Sequence, residues 1–374
     1  MTQQPSTDEA LEQAMPAVEA TAAEVDASGT FPRQAVRALA EAGVLGLVSA
    51  ESAGGRGGSM RAAASVVERL AGTCASTAMV TVMHYCGTAV LEAHGPEPVR
   101  REVAAGRHLT TLAFSEVGSR SHFWAPVSSA TPNGASVRLD ARKSWVTSAG
   151  EADSYVWSSR PASADGASTL WLMPAATPGL EIGARFDGLG LRGNASRPIS
   201  AAGVERPLDA MLGPDGGGFD LMMGVVLPWF QVLSAACSIG IAETAIRRTA
   251  AHATASRYEH LDQSLADQPV TRAHIARMRL RADQARGLLL DTLGAIESGR
   301  PDAMLRVLEV KPAASEAAVA VTDLAMRVCG GAAFRREVGV ERNFRDARAA
   351  TVMAPTTDAL YDFIGRAVCG MPLF

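Results

Sequence analysis

Cysteine is scarce and unpatterned in this chain of 374 residues. The five present (Cys74, Cys86, Cys237, Cys329, Cys369) form no CxxC pair. That excludes a disulfide frame and a zinc site, and leaves small buried hydrophobes in a reducing compartment as the expectation. A basic block is missing too, and the net charge is -4, so no nucleic-acid partner is expected. The first fifteen residues are polar and acidic, unlike a secretory leader. Long apolar runs are also short of what a bilayer needs. The longest, Leu221 to Ile241, is interrupted by Pro228, Gln231 and Ser234, which predicts a core helix and no membrane partner.

What is present is length and a change of texture. A chain this long exceeds one ordinary core, so two or three packed units are expected. From about Thr7 to Gly106 apolar residues recur at three- and four-residue spacing, as in Val36, Leu39, Ala40 and Val44, the pattern of amphipathic helices. The cluster Gly54-Gly55-Arg56-Gly57-Gly58 lacks the GK[ST] ending of a phosphate loop and follows no strand. It reads as a flexible connection. From about His108 to Gly213 short strand-like runs alternate with turns such as Pro132-Asn133-Gly134, predicting a small antiparallel barrel or sandwich. From about Gly217 three long helical segments (217–257, 268–298, 301–329) are joined by short links, as in an antiparallel bundle. The expected domains are therefore 1–107 helical, 108–214 β and 215–374 a helical bundle.

Near the end stand Gly330-Gly331-Ala332-Ala333-Phe334, then Val340-Glu341-Arg342 with Arg345-Asp346-Ala347-Arg348, then Val352-Met353-Ala354-Pro355-Thr356. This stretch resembles the carboxyl-terminal signature of the acyl-CoA dehydrogenase superfamily, roughly GG-x-G-[FY], VER-x-x-RDA[RK] and I-Y-E-G-T. The resemblance covers nearly the whole chain. It implies an α+β multidomain fold with an N-terminal helical domain, a middle β-barrel domain and a C-terminal four-helix bundle. It also implies an FAD flavoprotein.

Further motifs carry the resemblance. Ser115-Glu116-Val117-Gly118-Ser119-Arg120-Ser121-His122 is similar to the family's [TS]-E-P-G-x-G-S-D loop, which places Ser115 and Ser121 near flavin and thioester. Lys143-Ser144-Trp145-Val146-Thr147 resembles K-x-W-[IV]-T. There the Trp packs on the isoalloxazine and the Thr reaches toward N5, a flat shield and one donor for hydride transfer. The structural alternative is a strand with one buried Trp. Arg257 and Gln268, eleven residues apart, fit the R-x-x-F-G-x(6)-Q spacing. The resemblance aims that Arg at the FAD pyrophosphate of a neighbouring subunit, where a guanidinium fork suits phosphate. His260-Leu261 replace its Phe-Gly. Gly330 and Gly331 permit close backbone approach to the neighbour's FAD, and Arg327 stands where the family often has Gln. The Glu341 to Arg348 charges are expected to form a structural ion-pair turn. Asp187 to Gly193 and Leu212 to Phe219 are turn material without assigned chemistry.

The proton chemistry has no evident residue. In the family's usual reaction a carboxylate takes the α-proton of an acyl thioester while the β-hydrogen leaves as hydride, so the base must reach Cα. The Glu of E-G-T is Ala354 here, and the alternative seat, ten residues before Gly240, is Phe230, followed by Gln231 in place of Arg. Asp358 is expected in a helix first turn, His122 at a turn surface and His84 in a core. No catalytic residue is assigned and no metal is expected. The reading is an FAD-dependent oxidoreductase on an acyl thioester of coenzyme A or a carrier protein, by a variant mechanism. The alternatives are a flavin-dependent monooxygenase on the same fold and a non-catalytic subunit of a hetero-oligomer. Electron-transfer flavoprotein, O₂ or a flavin reductase are the implied redox partners. A homodimer or homotetramer in the cytoplasm is expected.

Overall fold

The computed structural model describes residues 5–120 and 122–373. Five helices come first: α1 (Thr7–Ser28), α2 (Arg33–Glu41), α3 (Met60–Ala71), α4 (Ala75–His94) and α5 (Glu97–Ala104). Seven strands follow: β1 (Thr110–Ala113), β2 (Ser129–Asn133), β3 (Ser136–Val146), β4 (Ser154–Ser159), β5 (Thr169–Pro174), β6 (Leu180–Ile182) and β7 (Arg197–Pro207). Then come α6 (Gly218–Leu221), a π-helical turn over Met222–Val226, and α7 (Leu227–Ala255). A two-stranded hairpin of β8 (Arg257–Tyr258) and β9 (Gln263–Ser264) leads to α8 (Pro269–Ser298) and α9 (Ala303–Cys329). The chain closes with α10 (Val340–Ala347), α11 (Ala349–Val352) and α12 (Thr357–Val368). Helical, β and helical regions thus follow one another as the sequence predicts.

Contacts divide the described residues into two compact units. One takes those of Met1–Val66, Met79–Gly188 and Arg192–Phe230; the other takes Val67–Ala78, Leu189–Leu191 and Gln231–Phe374. In the first unit, Ser6 and Glu9 start α1 with a reciprocal capping box. The Gly54–Gly58 turn is pinned rather than loose: Gly55, Gly57 and Gly58 donate to the carbonyls of Ala50, Ser49 and Leu47. Those amides are spent on the chain itself, which removes the phosphate-loop reading on geometric grounds.

The expected barrel is corrected. The strands form two open sheets, ordered β1-β4-β5 and β2-β3-β7-β6, with no closed barrel among the described residues. Nor is the region wholly antiparallel, since β1 pairs β4 in parallel. Between those two strands the chain leaves to build β2 and β3 in the other sheet, and only such a crossover lets parallel strands become neighbours. The predicted run 136–139 and residues 144–146 of the run 144–147 belong to the single strand β3. At the heart of the three-stranded sheet Trp157 faces Trp171, both fully buried. Asp215 ties the unit's edge together by accepting from the amides of Ala162, Ser163 and Ala164 and from Thr169 Oγ1. Burial pushes its carboxyl up, but these four donors outweigh that and draw it down to about 2.

The second unit is helical. α8 and α9 form a hairpin around Gly299, whose φ of 63° ends α8 in the left-handed conformation. α10, α11 and α12 pack on α9. Glu243 on α7 takes Arg279 and Arg286 of α8 at 2.5 and 2.6 Å, and Arg286 also reaches Glu68. The Glu341–Arg348 charges have structural partners: Glu341 pairs Arg345, Arg342 donates to Thr73 O, and Asp346 accepts the amide of Leu191. Gly218–Ala255 is long and apolar enough to span a membrane, yet 83% of its apolar window is buried, the setting of a core helix. Ala303–Phe334 also passes that test of length and is 33% buried. Four cysteines are buried as expected, but Cys369, at the end of α12, is exposed. It stands at the C-cap of that helix.

Candidate functional site

The site begins with a break in an alternation. Along β3, Val137, Leu139, Ala141 and Lys143 are buried while Arg138 and Arg142 are exposed. A period of two puts residue 145 inside. The pairing of β3 with β7 instead shifts between Lys143 and Val146. Trp145 adopts φ 56°, a left-handed conformation uncommon for a bulky residue. The consequence is that Val146 takes the interior place at 2% exposure while Trp145 stands out at 61%. β-Bulges re-aim side chains in this way beside functional sites. One face of the indole stacks on Phe186, with centroids 4.1 Å apart and planes at 27°. The alternative of a strand Trp buried in a core is therefore excluded. Thr147 is buried just beyond. Ser148 and Ala149 donate to the carbonyls of Asn194 and Ala195, holding the strand's exit.

A fully buried ion pair attaches the 115–128 loop to that bulge. Lys143 Nζ lies 2.5 Å from Glu116 Oε1, and both side chains are at most 1% exposed. The ammonium, the carboxylate and the serine hydroxyls of the cluster all have partners. Lys143 also donates to Ser158 O and meets Ser158 Oγ, and sits 5.0 Å from the Trp157 ring centroid. Glu116 accepts from the Val127 and Ser128 amides and from Ser128 Oγ. Burial pushes Glu116 up, but the Lys143 charge and these donors hold it below the usual carboxylate range. Burial draws Lys143 down against the pull of Glu116. The two partners are 27 residues apart, and each lies within a motif, although nothing in either motif announces that they meet.

The pair places Ser115 against β3. Ser115 O accepts from the Ser144 amide at 2.8 Å. Ser115, Trp145 and Thr147 are thus brought together. Ser121 lies outside the described residues. His122 is exposed and lies edge-on to Trp124, with ring centroids 5.1 Å apart.

The other predicted residues belong to the helical unit. Arg257 and Gln268 flank the β8–β9 hairpin. Arg257 Nη2 reaches Asp262 Oδ1 at 2.5 Å, and Gln268 donates to Gln263, itself paired with Tyr258. The turn at His260-Leu261 closes because Asp262 takes the left-handed conformation, φ 49°. Arg327 is exposed on the last turn of α9. Gly330 follows with φ 55°, and nothing lies within 4 Å of where a Cβ would stand on Gly330 or Gly331. That leaves bare, exposed backbone. No hydrogen bond joins the hairpin to this glycine pair among the described residues.

Neither seat of the usual base holds a titratable group. Ala354 lies in the turn after α11, joined to Pro355 by a cis peptide. Phe230 is buried on α7. Sequence reading passed over Lys311. This fully buried residue of α9 donates to Met353 O at 2.9 Å and Pro355 O at 2.7 Å, gripping the turn on both sides of Ala354. Burial lowers its ammonium to about 7. Asp358 is exposed in the first turn of α12, where an acid suits the helix dipole. His84 is a satisfied core histidine: its Nδ1 accepts the Thr110 amide, so its Nε2 donates to Leu45 O. Burial lowers it to about 4, which keeps it neutral.

Known proteins account for this arrangement. Sequence models of the acyl-CoA dehydrogenase N-terminal, middle and C-terminal domains match residues 2–106, 111–204 and 216–369. The human mitochondrial short-chain specific acyl-CoA dehydrogenase is 29% identical over 345 residues, spanning 90% of this chain and 82% of that protein. Butyryl-CoA dehydrogenase from Megasphaera elsdenii superposes with a TM-score of 0.89 at 23% identity, covering 99% of this chain and all of that one. The prolyl acyl carrier protein oxidase AnaB superposes at 0.88 and 19% identity, covering 97% of each chain. At these identities the two structures speak for the fold, and the three family domains in order speak for descent. The chain belongs to the acyl-CoA dehydrogenase family.

Proposed function

We propose that the protein is an FAD-dependent oxidoreductase acting on an acyl thioester of coenzyme A or of a carrier protein, by a variant of the family's chemistry. The observation that carries this reading is Trp145, turned outward by a bulge that a purely structural strand does not need. An exposed indole backed by Phe186 fits a flat ring system. On this reading Trp145 and Thr147 hold the isoalloxazine, with Ser115 and Ser121 beside them. When bound, FAD supplies a hydride acceptor at N5. Arg257, Gln268, Arg327, Gly330 and Gly331 serve the cofactor of a neighbouring copy. Exposed apolar residues of the helical unit (Phe334 at 82%, Val352, Val368) support such a homo-oligomer. A reducing, cytoplasmic setting agrees with the unpaired thiols.

The side chains at 354 and 230 accept no proton. The α-proton must therefore leave by another route, or the substrate must be acidic enough to need no positioned carboxylate. The same observation favours a second reading, a flavin-dependent monooxygenase, in which no α-proton base is required. Anaerobic titration of the purified flavoprotein with an acyl thioester separates them. Bleaching of the flavin supports the first reading. No bleaching, with product only when a flavin reductase and O₂ are supplied, supports the second. A Trp145→Ala variant is expected to lose bound FAD on gel filtration. Full retention of flavin would remove the assignment of Trp145.

A further inference from the structure

The helix α7 carries several buried polar side chains, and they fall into two groups. Ser238 Oγ donates to Ser234 O, Thr249 Oγ1 to Ala245 O, and Thr244 Oγ1 to Gly72 O, at 2.7–3.0 Å. These follow the usual habit of hydroxyls in helices, which bond back one turn or find a nearby carbonyl. Gln231 and Ser234 do neither. Both are fully buried, and neither Gln231 Nε2, Gln231 Oε1 nor Ser234 Oγ has a hydrogen-bond partner among the described residues. Three such atoms on residues three apart share one face of the helix. The residues between and after them, Val232, Leu233, Ala235 and Ala236, are fully buried and apolar. A buried donor or acceptor without a partner is costly, and a native helix keeps one for a reason. The sequence carries a trace of this: Gln231 and Ser234 both interrupt its longest apolar run.

We infer that Gln231 and Ser234 form a recognition site for a neutral polar group of the ligand, one that both donates and accepts a hydrogen bond, such as a hydroxyl or a carboxamide on the acyl chain. A carboxamide offers an acceptor and two donors without charge, and a hydroxyl offers both roles. Neither supplies the cation that a carboxylate in a buried place requires. The inference rests on the thioester reading above and narrows its substrate class to acyl groups that carry an uncharged polar substituent.

The test compares three thioesters of similar length on the holoenzyme by calorimetry: butyryl-CoA, 4-hydroxybutyryl-CoA and succinyl-CoA. The wild type is expected to bind the hydroxylated thioester about 10- to 100-fold tighter than butyryl-CoA, the discrimination of a site built for one or two hydrogen bonds. The Gln231→Leu variant should abolish that preference, and Ser234→Ala should reduce it. Equal binding of the hydroxylated and apolar thioesters by the wild type overturns the inference, as does a preference for succinyl-CoA. Thermal melting of the ligand-free variants is the independent arm. Gln231→Leu should melt at the wild-type temperature or above it, because it removes unpaired polar atoms. A melt lowered by several degrees would mean that Gln231 has a structural partner, and the inference falls. If no thioester binds the wild type, the thioester reading fails instead, and the melting result alone decides the fate of Gln231.

Discussion

Two turns in this protein are built alike and display opposite things. At the end of β3, fully buried Lys143 ties Glu116 and Ser158 together beneath the bulge that presents Trp145. After α11, fully buried Lys311 holds the carbonyls on both sides of Ala354. Each is an internal ammonium beside a short segment: Lys143 sits two residues before exposed Trp145, and Lys311 holds the carbonyls around half-buried Ala354. The first turn still shows a large aromatic platform. The second shows a methyl group where relatives in its motif carry a carboxylate. The lesson is that the missing base does not reflect a collapsed turn. The turn that carries position 354 is held on both sides by Lys311, and its side chain is a methyl group. The lysines also differ in kind, since one faces a carboxylate and the other reaches main-chain oxygens.

The sharpest way to probe the contrast is to refill the empty turn. Ala354→Glu should raise thioester-dependent flavin reduction, followed anaerobically by stopped flow, by about 10²–10⁴, the usual worth of a positioned base. No gain would argue that the ligand is not a thioester. Removing the charge under the other turn comes next. Glu116→Ala leaves Lys143 buried without its carboxylate, and urea melts should show a loss of about 3–5 kcal/mol. The double change Glu116→Gln, Lys143→Met should recover part of it. Lys311→Met removes the hydrogen bonds to the Met353 and Pro355 carbonyls, so its cost should be smaller, about 1–3 kcal/mol. An equal cost for both would erase the distinction between the two lysines.

The smallest effect is a slope. Burial lowers Lys311 to about 7 in the fold from 10.5, so between those values the unfolded chain binds more protons. Stability should therefore rise as pH climbs from 7 toward 10.5. Lys143, also lowered by burial, contributes in the same direction. Denaturant melts at pH 7 and 8 should differ in the wild type and differ less in Lys311→Met.

Much of this was legible in the residues, and the failures have physical causes. The helix boundary around Gly299 follows from local chemistry and stands close to where the spacing puts it. The strand pairing was misjudged because which strands become neighbours depends on the path of the chain, and β1 meets β4 only after the other sheet is under way. Lys311 was passed over because a lysine inside an apolar helical run gives no local sign of the carbonyls it will meet 42 residues later. Cys369 was placed inside on residue type alone, which cannot tell a last helical turn from a core.

By itself the sequence determined the order of helical, β and helical regions, the family to which they belong, and the loss of a carboxylate at 354 and 230, because composition, periodicity and motif are written locally. Only the tertiary structure decided which way Trp145 faces. Alternation along β3 points it inward, and a bulge against β7 points it out. Only it decided, too, which buried polar groups find partners. Gln231 and Ser234 remain without them, whereas Lys143 and Lys311 do not. A hydrogen bond between distant residues is a property of where the backbone brings them, and no stretch of sequence around either one contains it.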